Sequence, residues 1–315
     1  MEDELLSSPG EASPVEQPMQ HGPKWVFFGS DGLRAGWSAL LFLLIAVSLI
    51  LALGTAARFL FPPHPGHGAT PRGAFIGELI AAVSVLVATG IMVRIEKRRI
   101  AAYGYAGRAR LARFLWGALC GFVALSGLVV TLWQVHLLAF NPGHLHGIAA
   151  LKYALAWMAA FFLTAIFEES LFRGYLLSTL TRGLGFWWGA LILSVLFGAV
   201  HSGNGGESPV GVVAAGMVGL VLCISIWYTG SLWWAIGFHT AWDWAETYFY
   251  GTPDSGMIAR GSFMSEHPTG PLLWSGGPTG PEGSLYIVPL LLIMALAMWL
   301  WWRGRGVTMP YRQDV

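Results

Sequence analysis

The sequence predicts an all-α fold, a polytopic transmembrane helical bundle of about eight spans. Three observations point to it. Of 315 residues, 55% are hydrophobic and only 11% charged, against about 25% charged in an ordinary soluble domain. Apolar runs of about 20 residues, enough to cross a bilayer core, recur along the chain. Lys and Arg also concentrate in alternate connecting segments, the bias that orients a membrane protein.

The elements follow in order. Residues 1–30 are polar, acidic and Pro/Ser-containing, and lack the basic n-region and apolar core of a signal peptide, so they read as a disordered cytoplasmic tail. Residues 31–315 read as a single transmembrane domain. Spans are expected at 36–61, 74–93, 114–138, 153–180, 186–202, 209–228, 231–249 and 284–302. The stretch RIEKRRIAAYGYAGRARLAR, with seven basic residues, reads as a loop and a topology signal, and 250–283, rich in Gly, Pro and Ser, as a long loop. With the N-terminus in the cytoplasm, 13 Lys and Arg fall on the cytoplasmic side and 4 on the other, Arg173 being set aside within a span. Both termini are then cytoplasmic. The tryptophans of WYTGSLWW and MWLWW fit interfacial belts. No internal repeat is evident. Cys120 and Cys223 lie in apolar runs and read as buried thiols, not a disulfide framework. A net charge of +1 gives no reason to expect nucleic acid.

Ionisable side chains inside a bilayer cost several kcal/mol and usually face partners or water in the bundle interior, so their positions are informative. The fourth span carries Glu168, Glu169 and Arg173; the fifth, His201; the seventh, His239, Asp243 and Glu246. Glu78 on the second span reads as a buried hydrogen-bonding group, Glu246 as a span-end residue, and His136 lies near the far end of the third. His64, His67, His144 and His146 fall in loops. Glu169 and Arg173 are i,i+4 and can pair; Phe197 and His201, and His239 and Asp243, share that spacing. Glu168 is rotated by about 100° from Glu169, so the two carboxylates point into different spaces. At 1.5 Å per residue the depths of Glu168, His201 and His239 differ by roughly 10 Å, which tilted helices can close.

A carboxylate and two imidazoles around a water-accessible cavity suit hydrolysis. The carboxylate can serve as general base on water, one histidine can hold that water, and another can donate to the oxyanion. Two histidines and a carboxylate also make a catalytic zinc set with an open position. Composition leaves both mechanisms open. The sequence lacks H-E-x-x-H and G-x-S-x-G, which argues against a zincin helix and a nucleophile elbow. Asp243 is the only aspartate in any expected span, against a two-aspartate protease.

EESLFR, at Glu168–Arg173, resembles the E-E-x-x-x-R signature of the type II CAAX prenyl endopeptidases and their bacterial relatives, the CPBP or Abi superfamily. FGAVH, Phe197–His201, is similar to its F-x-x-x-H motif, and HTAWD, His239–Asp243, to its H-x-x-x-N/D motif. The resemblance covers about residues 150–250, the expected catalytic core. It implies an intramembrane endopeptidase that cleaves a membrane-attached peptide or protein, either prenylated or not. The expected location is a bacterial inner (plasma) membrane, with membrane lipid around the bundle. Glu168 would activate water, His201 would help hold it, Glu169 would pair with Arg173, and His239 and Asp243 would occupy the oxyanion-stabilising positions. No cofactor is favoured; if zinc or another divalent metal is used, its ligands would be Glu168, His201, His239 and Asp243. The readings from other classes are a non-catalytic immunity or scaffold protein and a proton-coupled transporter.

Overall fold

The computed structural model describes residues 24–29, 32–61, 68–106, 109–143 and 145–304. Each expected span coincides with a helix. These are α1 (Ala35–Leu60), α2 (Pro71–Ile95), α3 (Arg110–Gln134), α4 (Gly147–Leu184), α5 (Phe186–His201), α6 (Pro209–Thr229), α7 (Leu232–Trp244) and α8 (Ile287–Trp302). Five of them, α1 to α4 and α6, are long and apolar enough to cross a membrane unaided, and the chain is an integral membrane protein. The figure of eight is therefore not reached on length. Helices α5 and α8 have 16 residues each, a rise of about 24 Å against a hydrocarbon core of about 30 Å. Helix α7 gains length by running into a wide i→i+5 turn at Ala245–Tyr250.

Local chemistry sets the helix ends. Thr70 and Ser208 accept hydrogen bonds from Gly73 N and Gly211 N, and each precedes a proline at the first helical position. A side-chain acceptor satisfies one of the orphan amides there, and proline lacks an amide to orphan. Ser231 caps α7 in the same way. Helix α4 is the longest at 38 residues, and between Glu169 and Leu176 it widens into a π-helical turn.

The tightest packing joins α3 to α7. A Cβ at Gly117 would lie 2.1 Å from Trp234 O, one at Gly121 2.2 Å from Phe238 O, and one at Gly237 2.0 Å from Phe114 O. Only glycine admits this backbone approach, the small-residue packing by which helices associate in lipid. It presses α7, with His239 and Asp243, into the centre of the bundle. Trp234 goes with it and is buried against Phe238, not set in an interfacial belt. The expectation for MWLWW fares better, since Trp299 and Trp301 are exposed.

Two segments expected as loops are packed structure. In the basic stretch, Ile100–Tyr103 forms a 3₁₀ turn that buries Tyr103. Glu96 becomes a hub there, accepting from Tyr103 (2.9 Å), Tyr175 (2.8 Å) and Arg182 (3.1 Å). Burial alone would push the Glu96 carboxyl up, but Arg182 and the hydroxyls of Ser38, Tyr175 and Tyr103 outweigh it and hold it below its usual range. Beyond α7, strand β2 (Met264–Pro268) pairs antiparallel with β1 (Leu138–Pro142). Short turns then bury Thr279, Glu282 and Ser284. A compositional signal of Gly and Pro marks turns; it does not say whether the turns pack on something.

The expected tail lies largely outside the described residues, as do His64, His67 and His144. Its last part, Lys24–Phe27, forms a helical turn, and Phe28–Gly29 pairs with Gly32–Leu33. Arg34 and Trp37 hydrogen-bond back to Trp25 O and Val26 O. Cys223 is buried and Cys120 only partly so; both are free. His136 is exposed in the turn after α3, outside the helix.

Gly121→Ala should lower the melting temperature of the detergent-solubilised protein, at a cost of about 1–3 kcal/mol of overpacking. Gly127→Ala, whose Cβ meets nothing within 4 Å, should leave it unchanged or raise it slightly. Glu96, with a depressed folded pKa, stabilises the fold above its unfolded pKa, and that contribution disappears as pH falls through the folded value. Acid titration of stability should therefore be shallower in Glu96→Gln than in the parent, read by tryptophan fluorescence.

Candidate active site

The site is assembled around Arg173, which is 1% exposed. Its Nη1 donates to Glu169 Oε1 at 3.0 Å, and the same oxygen lies 3.0 Å from His239 Nδ1. The guanidinium sits 4.2 Å from the centre of the Phe197 ring, a cation–π seat that favours a desolvated arginine. Gly219 leaves the space it needs: a Cβ there would come within 2.7 Å of Nη2. Four elements thus converge on one cation. Glu169 and Arg173 come from the π turn of α4, Phe197 from α5, Gly219 from α6 and His239 from α7. A π turn inside an α-helix displaces side chains from the regular helical register, and such turns recur at functional sites.

The other ring nitrogen of His239, Nε2, lies 3.4 Å from Asp243 Oδ2 and 3.7 Å from Glu168 Oε2. His239 is therefore surrounded by three carboxylates. Glu169 both pairs with Arg173 and fixes the His239 ring, a link across 70 positions of sequence that local spacing could not show. Glu168 Oε2 has no hydrogen-bond partner.

Glu168, His201, His239 and Asp243 all line a cavity of about 320 Å³, whose apolar wall includes Trp157, Phe161, Phe238 and Trp242. Glu169 and Arg173 lie behind that wall. His201 is held by Nδ1, which lies 2.7 Å from Phe197 O. A carbonyl only accepts, so Nδ1 carries the hydrogen and Nε2 of the neutral ring is the acceptor.

Five acidic groups in or near the site were not placed there by spacing. Glu78 lines the cavity with a buried oxygen that has no hydrogen-bond partner, and so is not a satisfied packing group. Asp254 and Glu282 reach the cavity from the segment expected as a loop. Glu246 is wholly buried, not a span-end residue, because the wide turn that ends α7 rotates it inward. Burial, then Asp243 and Glu282, pushes the Asp254 carboxyl well above its usual range. Burial, then Glu282, pushes Glu207 up to about 7. The signal that could have found these residues is their residue type alone: acids in an otherwise apolar chain.

Among the described residues, Glu168, His201, His239 and Asp243 do not bring three ligand atoms within 4.8 Å of one another; Glu246, Asp254 and Glu282 do. Glu169 holds His239 by Nδ1, as an outer carboxylate holds a ligating imidazole, and leaves Nε2 between Glu168 and Asp243.

The fold and the site define an integral membrane protein with a polar cavity walled by its own spans. Residues 149–245 match the family model described as Type II CAAX prenyl endopeptidase Rce1-like. All three motifs lie inside the match, which runs over the core expected at about 150–250. The similarity indicates a peptidase acting in a lipid environment. No curated protein matches the chain.

Arg173→Ala leaves Glu169 buried without its cation, and should destabilise the protein by about 3–5 kcal/mol, the usual cost of breaking a buried pair. Thermal unfolding in detergent reads this; a melting temperature equal to that of the parent would remove Arg173 from the centre of the site.

Proposed function

We propose that the protein is an intramembrane endopeptidase in which Glu168 activates a water molecule to hydrolyse a peptide bond of a membrane-associated substrate. The observation that carries this reading is Glu168 itself. It lines the cavity beside His201 and His239, and one of its buried carboxylate oxygens has no hydrogen-bond partner. A water in the cavity can supply the missing donor.

The steps balance. Glu168 takes one proton from water as the water oxygen bonds to the scissile carbonyl carbon. His201 Nε2, left as acceptor by the Nδ1 contact with Phe197 O, accepts the second water hydrogen and fixes the attack angle. The carbonyl electrons move to oxygen, and His239 donates to that oxyanion. Asp243 orients the His239 ring from the next turn of the same helix. When the carbon–nitrogen bond breaks, the proton held by Glu168 passes to the leaving amine. Glu169 and Arg173 act only by holding His239. No step requires a metal.

The cavity volume of about 320 Å³ suits a short segment of substrate, and the resemblance to CAAX endopeptidases suggests one near the C-terminus. The apolar wall of Trp157, Phe161 and Trp242 suits a hydrophobic or lipid-bearing chain. The proposed setting is a bacterial inner membrane with both termini in the cytoplasm, as the Lys/Arg distribution supports.

The test is cleavage of prenylated and unprenylated peptides by the purified protein in detergent. Glu168→Gln should lower kcat/KM by about 10²–10⁴-fold, the usual contribution of a general base, with little change in melting temperature. His201→Ala should also lose activity. Hydrolysis surviving both substitutions would remove the site assignment. Phenanthroline, which sequesters zinc, should leave the rate unchanged; loss of activity restored by zinc would replace the water-activating carboxylate with a metal.

A further inference from the structure

We propose that Glu246, Asp254 and Glu282 form a binding site for a hard divalent cation, with calcium the first candidate, where the segment 250–283 meets the end of α7. The three carboxylates each bring one oxygen to within 4.8 Å of the others. Glu246 comes from the wide turn that ends α7, and Asp254 and Glu282 from the segment that folds back over it. All three residues lie beyond residues 149–245.

The independent observation is the state of Glu246. It is 0% exposed, and neither of its carboxylate oxygens has a hydrogen-bond partner. The Trp242 indole faces it but does not reach hydrogen-bonding geometry. A buried polar group without a partner is costly, and this one points at two further carboxylates. The neighbours of Asp254 and Glu282 are arranged differently. Thr247 donates to Asp254 Oδ2 at 3.1 Å, and the Ser255 amide donates to Glu282 Oε1 at 2.8 Å, with the Ser255 hydroxyl on the same oxygen. These bonds fix the two side chains from the outside, as outer partners fix metal ligands.

Like charges this close cannot all ionise unless something positive joins them. Protons can do this, and so can a divalent cation that displaces them. Oxygen-only donors of high charge density select calcium or magnesium over zinc or copper. Calcium suits the site better, since it tolerates irregular oxygen geometry, whereas magnesium demands a near-ideal octahedron. Gly280 approaches closely: a Cβ there would lie 3.1 Å from Glu246 Oε1. A bound cation would pin the 250–283 segment to α7, and so hold the cavity wall that contributes Asp254 and Glu282.

The experiment is calcium and, separately, magnesium titration of the full-length protein in detergent at pH 7.5. Isothermal calorimetry and melting temperature are the readouts, after removal of divalent ions with EGTA. One calcium should bind per chain and raise the melting temperature by mass action. Glu246→Gln and Asp254→Asn should each weaken binding at least tenfold; Glu266→Gln, on strand β2, should not. If the parent protein shows no calorimetric binding and no shift with either cation, the proposal is overturned, whether or not the variants fold. Binding that survives unchanged in both Glu246→Gln and Asp254→Asn overturns it equally. None of these readouts depends on peptidase activity, so the outcome is separate from that of the catalytic reading.

Discussion

The Arg173 guanidinium is buried in the middle of the bundle, and the carboxylate of Glu169 lies 3.0 Å from it. An arginine in a dry interior is expensive unless it is paired and its donors are satisfied. That requirement constrains the rest. Glu169 must face inward, which the π turn of α4 allows. Phe197 must present its ring, and residue 219 must have no side chain. Because Glu169 Oε1 also meets His239 Nδ1, the ion pair fixes the imidazole as well. The chemistry proposed at Glu168 thus rests on a neighbouring carboxylate that never reaches the cavity.

The adjacency of Glu168 and Glu169 acquires a physical meaning in this arrangement. Neighbouring positions on a helix point in different directions, so a doublet can serve two environments at once. One carboxylate lies off the cavity and brings its Oε1 to both Arg173 and His239. The other lines the cavity, with an oxygen that makes no hydrogen bond. Both reach the same imidazole from opposite sides, Glu169 at Nδ1 and Glu168 at Nε2. The His239 ring is therefore the joint between the buried support and the open chamber.

The second acidic group, at Glu246, shows the same economy one turn beyond Asp243. There the helix also widens, and a carboxylate also turns inward. What differs is the counter-charge. Arg173 supplies it at the first site, while at the second the described residues place carboxylate against carboxylate. The α3–α7 contact through Gly117, Gly121 and Gly237 keeps α7 central enough for His239, Trp242 and Asp243 to line the cavity.

The sequence by itself determined the membrane class, the positions of the eight helical segments, the pairing of Glu169 with Arg173 and the order of the three motifs. These follow from local quantities: apolar run length, i,i+4 spacing and residue type. Tertiary structure decided what local spacing cannot encode. It placed His239 against Glu169, seated Arg173 on Phe197, and turned the segment 250–283 from an expected loop into a cavity wall bearing Asp254 and Glu282. It also set Glu78 on the cavity wall and turned Glu246 from an expected span-end residue into a buried one. The reason is that a carboxylate in an apolar span announces that it needs a partner, but which partner depends on how helices far apart in sequence cross. Here that crossing is set by backbone contact at three glycines and by two departures from regular α-helix, neither of which hydrophobic periodicity records.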